Sequence, residues 1–153
     1  VDERIDWALV SALCGATAGT VVFVGPVLDG ARPLPEKPNL RALGGRPYER
    51  LPEYLRAFDV CLIPWKVTEL TKYMSPTKTP EYLASGRAVV STPIPDVVND
   101  YGEEVLVAAS AEDFAAACER APAPGPARKP PQARTWDETA EAMLALIEET
   151  LKK

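Results

Sequence analysis

The residues best suited to chemistry lie in one run, Met74-Ser75-Pro76-Thr77-Lys78-Thr79-Pro80-Glu81-Tyr82-Leu83-Ala84-Ser85-Gly86, followed by an apolar segment ending at Ser91-Thr92. The run reads as a polar loop, a short helix, a glycine stop and a buried strand. A helix start leaves backbone N–H groups unsatisfied and carries partial positive charge, so it suits an anion such as a diphosphate. Lys78 and Glu81 are three residues apart and share one helix face. In that arrangement Lys78 faces phosphate and Glu81 faces ribose hydroxyls. If Ser75 caps the helix and Pro76 is its first residue, Pro80 falls at the fifth position, where it removes a backbone bond. The spacing therefore predicts either a restart at Thr79-Pro80 or a distorted first turn.

Composition narrows the class of chemistry. A chain of 153 residues is sized for one domain, and 46% hydrophobic with 25% charged residues is globular usage. A net charge of −5 argues against a nucleic-acid partner, which requires clustered basic residues. With no histidine, Ser-His-Asp and Cys-His mechanisms within this chain are excluded, and a zinc site is disfavoured. Cys14, Cys61 and Cys118 are odd in number and widely spaced, and they read as buried reduced thiols of a cytoplasmic protein. No apolar run reaches the roughly 18 residues that span a membrane.

Five short β-rich runs, 20–24, 39–43, 59–63, 88–91 and 105–108, alternate with helical patterns. Their apolar stretches are continuous rather than alternating, as in strands covered on both faces. The first helical pattern carries Ile5, Leu9, Ala12, Leu13 and Ala16, and another places Leu55 and Phe58 on one face after Pro52. A third begins near Ser110 with Asp113 three residues on, and buries Phe114, Ala117 and Cys118. The last opens with the capping box Thr135 to Glu138 and carries Trp136, Ala140, Met143, Leu144, Ile147 and Leu151 along one face. Alternating strands and helices predict an α/β fold, a doubly wound parallel sheet flanked by helices. Ligands of such sheets bind beyond the carboxyl ends of the strands, where the Ser75 run begins. Residues 121–132, with five prolines, predict a stiff connection to a terminal helix that packs back onto the domain. Trp7 and Trp136 are expected to be packing residues; for Trp65 and Tyr73, in the loop of residues 64–74, local packing is the favoured reading and stacking on a ligand the alternative.

An ordered series of motifs carries a family resemblance. Gly25-Pro26, Asn39-Leu40-Arg41-Ala42-Leu43-Gly44, Leu51-Pro52-Glu53-Tyr54-Leu55 and Phe58-Asp59-Val60-Cys61-Leu62-Ile63-Pro64 precede Ser75-Pro76-Thr77-Lys78 and Glu81-Tyr82-Leu83-Ala84-Ser85-Gly86. This series resembles the C-terminal, donor-binding half of a group 1 retaining glycosyltransferase of the GT-B fold. The resemblance implies a Rossmann-like domain for a nucleoside diphosphate sugar, with no further cofactor and no metal. It implies that Glu81 holds the donor ribose and that Ser75, Pro76, Thr77 and Lys78 line diphosphate and sugar. It also implies that the loop with Gly44 and Arg46 contacts the base, and that Gly25 lies close to the donor.

The series departs from the family at two places. A second glutamate, often eight residues before the ribose-binding one, is replaced here by Tyr73, and Glu69 is out of register; no catalytic residue is assigned. The family's opening strand precedes the first helix and would be central in the sheet, whereas this chain begins past it, at Val1. The expectation is therefore a nucleotide-sugar-binding domain over 1–153, a fragment lacking its first strand and its acceptor-binding partner domain. The whole enzyme is expected to transfer a hexosyl group to a glycan or lipid-linked acceptor in polysaccharide or glycoconjugate synthesis, with peripheral membrane association. Self-association of the fragment belongs to the same expectation. Two other readings remain open at this point, half of a nucleotide-sugar epimerase and a noncatalytic binding or assembly module.

Overall fold

The computed structural model describes residues 1–27, 34–127, 129 and 135–152. Helix α1 (Trp7–Ala16) starts where the Asp6 carboxylate accepts the Ala8 and Leu9 N–H groups, so Asp6 is its N-cap. Strands β1 (Val21–Phe23) and β2 (Leu40–Ala42) follow, then α2 (Leu51–Ala57), β3 (Val60–Ile63), α3 (Lys78–Ala84) and β4 (Ala88–Ser91). Helix α4 (Pro95–Tyr101), β5 (Val105–Val107), α5 (Ala111–Glu119) and α6 (Trp136–Leu151) complete the order. All five expected strands form within a residue of their expected bounds. Helix α4 was not foreseen, although Pro95 at its start and Gly102 at its end are the ordinary punctuation of a helix.

Every strand pair is parallel, with Val21 opposite Leu40, Cys61 opposite Val89 and Val89 opposite Val105. The sheet is Rossmann-like but divided, β1–β2 in one part and β3–β4–β5 in the other. The two parts are tied by the first six residues and by α1. Ile5 forms an antiparallel bridge with Trp65, the Asp6 N–H donates to Pro64 O at 2.8 Å and the Lys66 N–H donates to Arg4 O at 2.8 Å. The Val1 nitrogen donates to Pro26 O at 2.7 Å, beyond the end of β1. At the other end of α1, the Asn39 amide reaches the carbonyls of Cys14, Thr17 and Gly19 at 2.9–3.2 Å, satisfying orphan acceptors of the helix end.

Helix α1 packs against α5, and one continuous core joins Val10 and Leu13 to Val21, Ile63, Val89, Val90, Ile94, Val97 and Phe114. The buried stripe of α1 is Leu9, Val10, Leu13 and Cys14, with Ala12 and Ala16 exposed. The stripe is rotated from the expected one because Ile5 is buried in the extended bridge rather than in the helix. Helix α5 buries Phe114 and Ala117 as expected, while Cys118 is half-buried.

The terminal helix corrects a second expectation. Its capping box forms, with Thr135 accepting the Glu138 N–H and Glu138 accepting the Thr135 N–H. Its apolar face is nevertheless exposed, Trp136 at 88% and Leu151 at 81%. Periodicity marks one face of a helix as apolar without stating what covers it. Of the proline-rich connection, residues 128 and 130–134 lie outside the described residues. Its first half is pinned, the Gly125 N–H donating to Gly86 O at 2.8 Å. Gly86 has φ 75°, and an added Cβ would come within 2.3 Å of Pro126 O, so only glycine fits there. Among the described residues no helix is long and apolar enough to cross a membrane.

Two outcomes test this packing. Phe114→Ala, at a fully buried site, should lower unfolding free energy by about 3–5 kcal/mol, while Leu144→Ala on α6 should change it by less than about 0.5 kcal/mol. Denaturant titration distinguishes them, and comparable losses would show that α6 is covered in solution. Burial pushes the Cys61 thiol up to about 12 and, as the first cause, the Cys118 thiol up to about 11. The native protein at pH 8 should therefore alkylate slowly at both positions, with full reactivity appearing only in denaturant.

Candidate functional site

The loops leaving the carboxyl ends of β1 and β2 are in contact, and the second of them reaches helix α3. Gly25 donates its N–H to Gly44 O at 3.0 Å, joining the two loops. Gly44 has φ 71°, a left-handed conformation that reverses the chain after β2 and favours glycine. A Cβ added at the next residue, Gly45, would come within 3.8 Å of the Pro26 ring, so the two loops are in contact. Arg46 is exposed but engaged, donating from Nε to the Tyr54 hydroxyl on α2 at 2.9 Å and from Nη1 to Gly45 O at 2.9 Å. The β2 loop is thereby pinned to α2.

The same loop reaches α3. After Pro47 the chain makes a 3-10 turn, Tyr48–Arg50, and the Tyr48 hydroxyl donates to Glu81 Oε1 at 3.2 Å. The negative charge of Glu81, and then its hydrogen bond, push the Tyr48 phenol above its usual 10 and keep it protonated. Gly25, Gly44, Arg46 and Glu81 are thus linked through consecutive contacts, although 56 residues separate the first from the last in the chain.

Helix α3 resolves the proline conflict. It begins at Lys78 rather than Pro76, which puts Pro80 at the third helical position, where no intrahelical N–H is needed. The Thr79 N–H is already donated to Pro76 O at 2.9 Å, and Pro80 has none. The helix start therefore offers few free donors, and Thr77, its cap, makes no side-chain capping bond. Any anion held here would depend on the Lys78 side chain. That side chain is exposed, with no hydrogen bond or ion pair to Glu81 or any other described residue. Ser75 and Thr77 are exposed beside it, whereas Pro76 is buried and shapes the loop from beneath.

The two aromatic candidates separate. Trp65 is 6% exposed and the Arg4 guanidinium covers its ring at 4.5 Å, so it is a packing residue and not a stacking platform. Tyr73 is 85% exposed. Trp7 packs on Phe23 with ring centroids 5.2 Å apart. Trp136, expected to pack, does not. A cavity of about 240 Å³ lies past the end of β3, lined by Glu3, Arg4, Lys66, Thr68, Leu70 and Thr71. It contains none of the residues singled out by sequence. Tyr48 and Tyr54 were also missed; their only signal was position, just after the paired glycines and inside the Leu51–Leu55 run.

Arg4 is held over Trp65 by Asp2, whose carboxylate accepts both the Arg4 backbone N–H and its guanidinium. The guanidinium bond lowers the Asp2 carboxyl from the usual 3.8 to about 2. A lowered folded value means that the contact is fully stabilising above pH 3.8 and is lost as pH falls toward 2. In an acid titration of unfolding free energy, Asp2→Asn should be the less stable at pH 5 and should converge with wild type near pH 2. A constant gap across that range would count against the pair.

The model of a family described as Glycosyl transferases group 1 matches residues 8–122. A Bacillus subtilis (strain 168) protein named as a teichuronic acid biosynthesis glycosyltransferase, TuaH, is 28% identical over 121 residues, covering 77% of this chain. The match covers 28% of that relative's own length. No solved structure gives a significant match.

Proposed function

The chain belongs to the group 1 glycosyl transferases, and from that premise we propose that it is the part of the enzyme that binds the nucleoside diphosphate sugar donor. The observation that carries the reading is the convergence of the Gly25, Gly44–Arg46 and Glu81 segments beyond the carboxyl ends of the strands. Glu81 accepts the ribose hydroxyls, Lys78 neutralises the diphosphate, and Ser75 and Thr77 line the sugar side. Gly25 and Gly44 bring backbone close to the donor, and the Arg46 loop faces the base. Pro76 contributes the shape of the loop and no direct contact.

In the whole enzyme a hexosyl group moves from the nucleoside diphosphate to an acceptor with retention of configuration. Negative charge builds on the departing diphosphate, and Lys78 is the side chain of this site that stabilises it. The acceptor is a glycan or lipid-linked glycan bound by the remainder of the enzyme. The relative's printed name, which refers to teichuronic acid, supports a cell-surface polysaccharide. A noncatalytic binding module is the second reading. It is favoured by Tyr73, fully in solvent where the family often carries a glutamate.

Thermal melts with uridine, guanosine, adenosine and thymidine diphosphates test the binding reading, since a ligand of the native state must raise the midpoint. No shift with any of them would overturn it. For the diphosphate that binds, Glu81→Ala should weaken affinity by roughly ten- to a hundredfold in calorimetry, the worth of a charged hydrogen bond. Lys78→Ala should weaken the nucleoside diphosphate but leave the nucleoside unchanged. Equal losses for both ligands would remove Lys78 from the diphosphate.

A further inference from the structure

Resting on the reading that Glu81 receives the donor ribose, we propose that Tyr48 is a positioning residue that aims the Glu81 carboxylate at a ribose diol and so sets the preference for ribonucleotide over 2′-deoxyribonucleotide. The Tyr48 hydroxyl donates to Glu81 Oε1 at 3.2 Å across 33 residues of sequence. Both side chains are exposed, Tyr48 at 70%. A bond between two solvated side chains adds little to folding, because water competes for both partners. Its effect lies in what it does to a freely rotating carboxylate.

A glutamate in water samples many rotamers, and each side chain fixed on binding costs affinity. Tyr48 holds one Glu81 oxygen before ligand arrives. An ionised carboxylate has about four acceptor sites, so the bond to Tyr48 leaves Oε2 and the second lone pair of Oε1 open. Two vicinal hydroxyls, O2′ and O3′, match that remaining capacity, whereas a 2′-deoxy sugar supplies one donor and leaves the other site to water.

The chain leading into Tyr48 is itself held. Pro47 fixes the entry to its turn, and the Arg46–Tyr54 bond anchors the preceding residue to α2. Among the described residues, Tyr48 is the one side chain that the structure shows bonded to the Glu81 carboxylate. Its phenol remains a donor at neutral pH, since the adjacent carboxylate opposes ionisation. The tyrosine therefore supplies the alignment that solvent exposure denies to Glu81.

The experiment uses the full chain and the tightest-binding of uridine, guanosine and adenosine diphosphate, its 2′-deoxy counterpart, and inorganic pyrophosphate, all by calorimetry. Wild type should prefer the ribonucleotide by about tenfold, the worth of one charge-assisted hydrogen bond. Tyr48→Phe keeps the ring and removes the hydroxyl. It should shrink that ratio to about two- or threefold, with pyrophosphate affinity and thermal midpoint unchanged. Glu81→Gln, which weakens the acceptor, should also collapse the ratio. If Glu81→Gln leaves the ratio intact, or if wild type binds no nucleotide, the reading of Glu81 fails and this proposal falls with it. If Glu81→Gln collapses the ratio and Tyr48→Phe does not, the proposal alone is overturned. Equal weakening of all three ligands by Tyr48→Phe would mark a general effect on the loop and would also overturn it.

Discussion

The packing of α1 against α5 is the constraint on which the remaining structure depends. The two parts of the sheet share no ladder hydrogen bonds, so strand pairing within the sheet does not unite the domain. Leu9, Val10 and Leu13 enter the same core as Phe114 and Ala117, and this contact spans the division. Burying apolar surface is non-directional and scales with area, so side chains from both parts can be joined without a strand between them. The six residues before α1 add direction. Their antiparallel bridge to Trp65 and the Arg4 guanidinium over that ring hold the end of β3 relative to the end of β1.

That tie is what lets loops distant in sequence form one surface. β2 is short and mostly exposed, and its loop would be poorly placed by the strand alone. It is located by three polar contacts instead, Gly25 to Gly44, Arg46 to Tyr54 and Tyr48 to Glu81. Each is weak singly, but together they restrict the loop from different directions. The family assignment and this surface point to one end of the molecule. The exposed acidic and apolar faces of α6 lie outside that logic, since nothing in the described residues covers them.

Much of the fold was legible because it is local. The strands are short apolar runs bounded by turn residues, and Ser110 and Thr135 announce the helices they cap. The glycine stop at Gly86 was equally plain, although its crowding by Pro126 was not. Where local signals compete, the sequence was ambiguous. Pro76 and Pro80 are both tolerable near a helix start, and the folded chain starts the helix at Lys78, with Pro80 at its third position.

By itself, then, the sequence determined the parallel α/β class, the order of its strands, and the residue types available for a donor site, because these follow from periodicity, turn chemistry and composition. The tertiary structure alone decided which side chains meet. Trp65 and Tyr73 read alike as loop aromatics, yet Arg4 covers the first and the second is in solvent; nothing in the local pattern of Tyr48 says that it reaches Glu81. The face of α6 reads as buried and is exposed. Contacts of this kind join positions tens of residues apart, and their formation depends on the packing of α1 and α5, which no local pattern encodes.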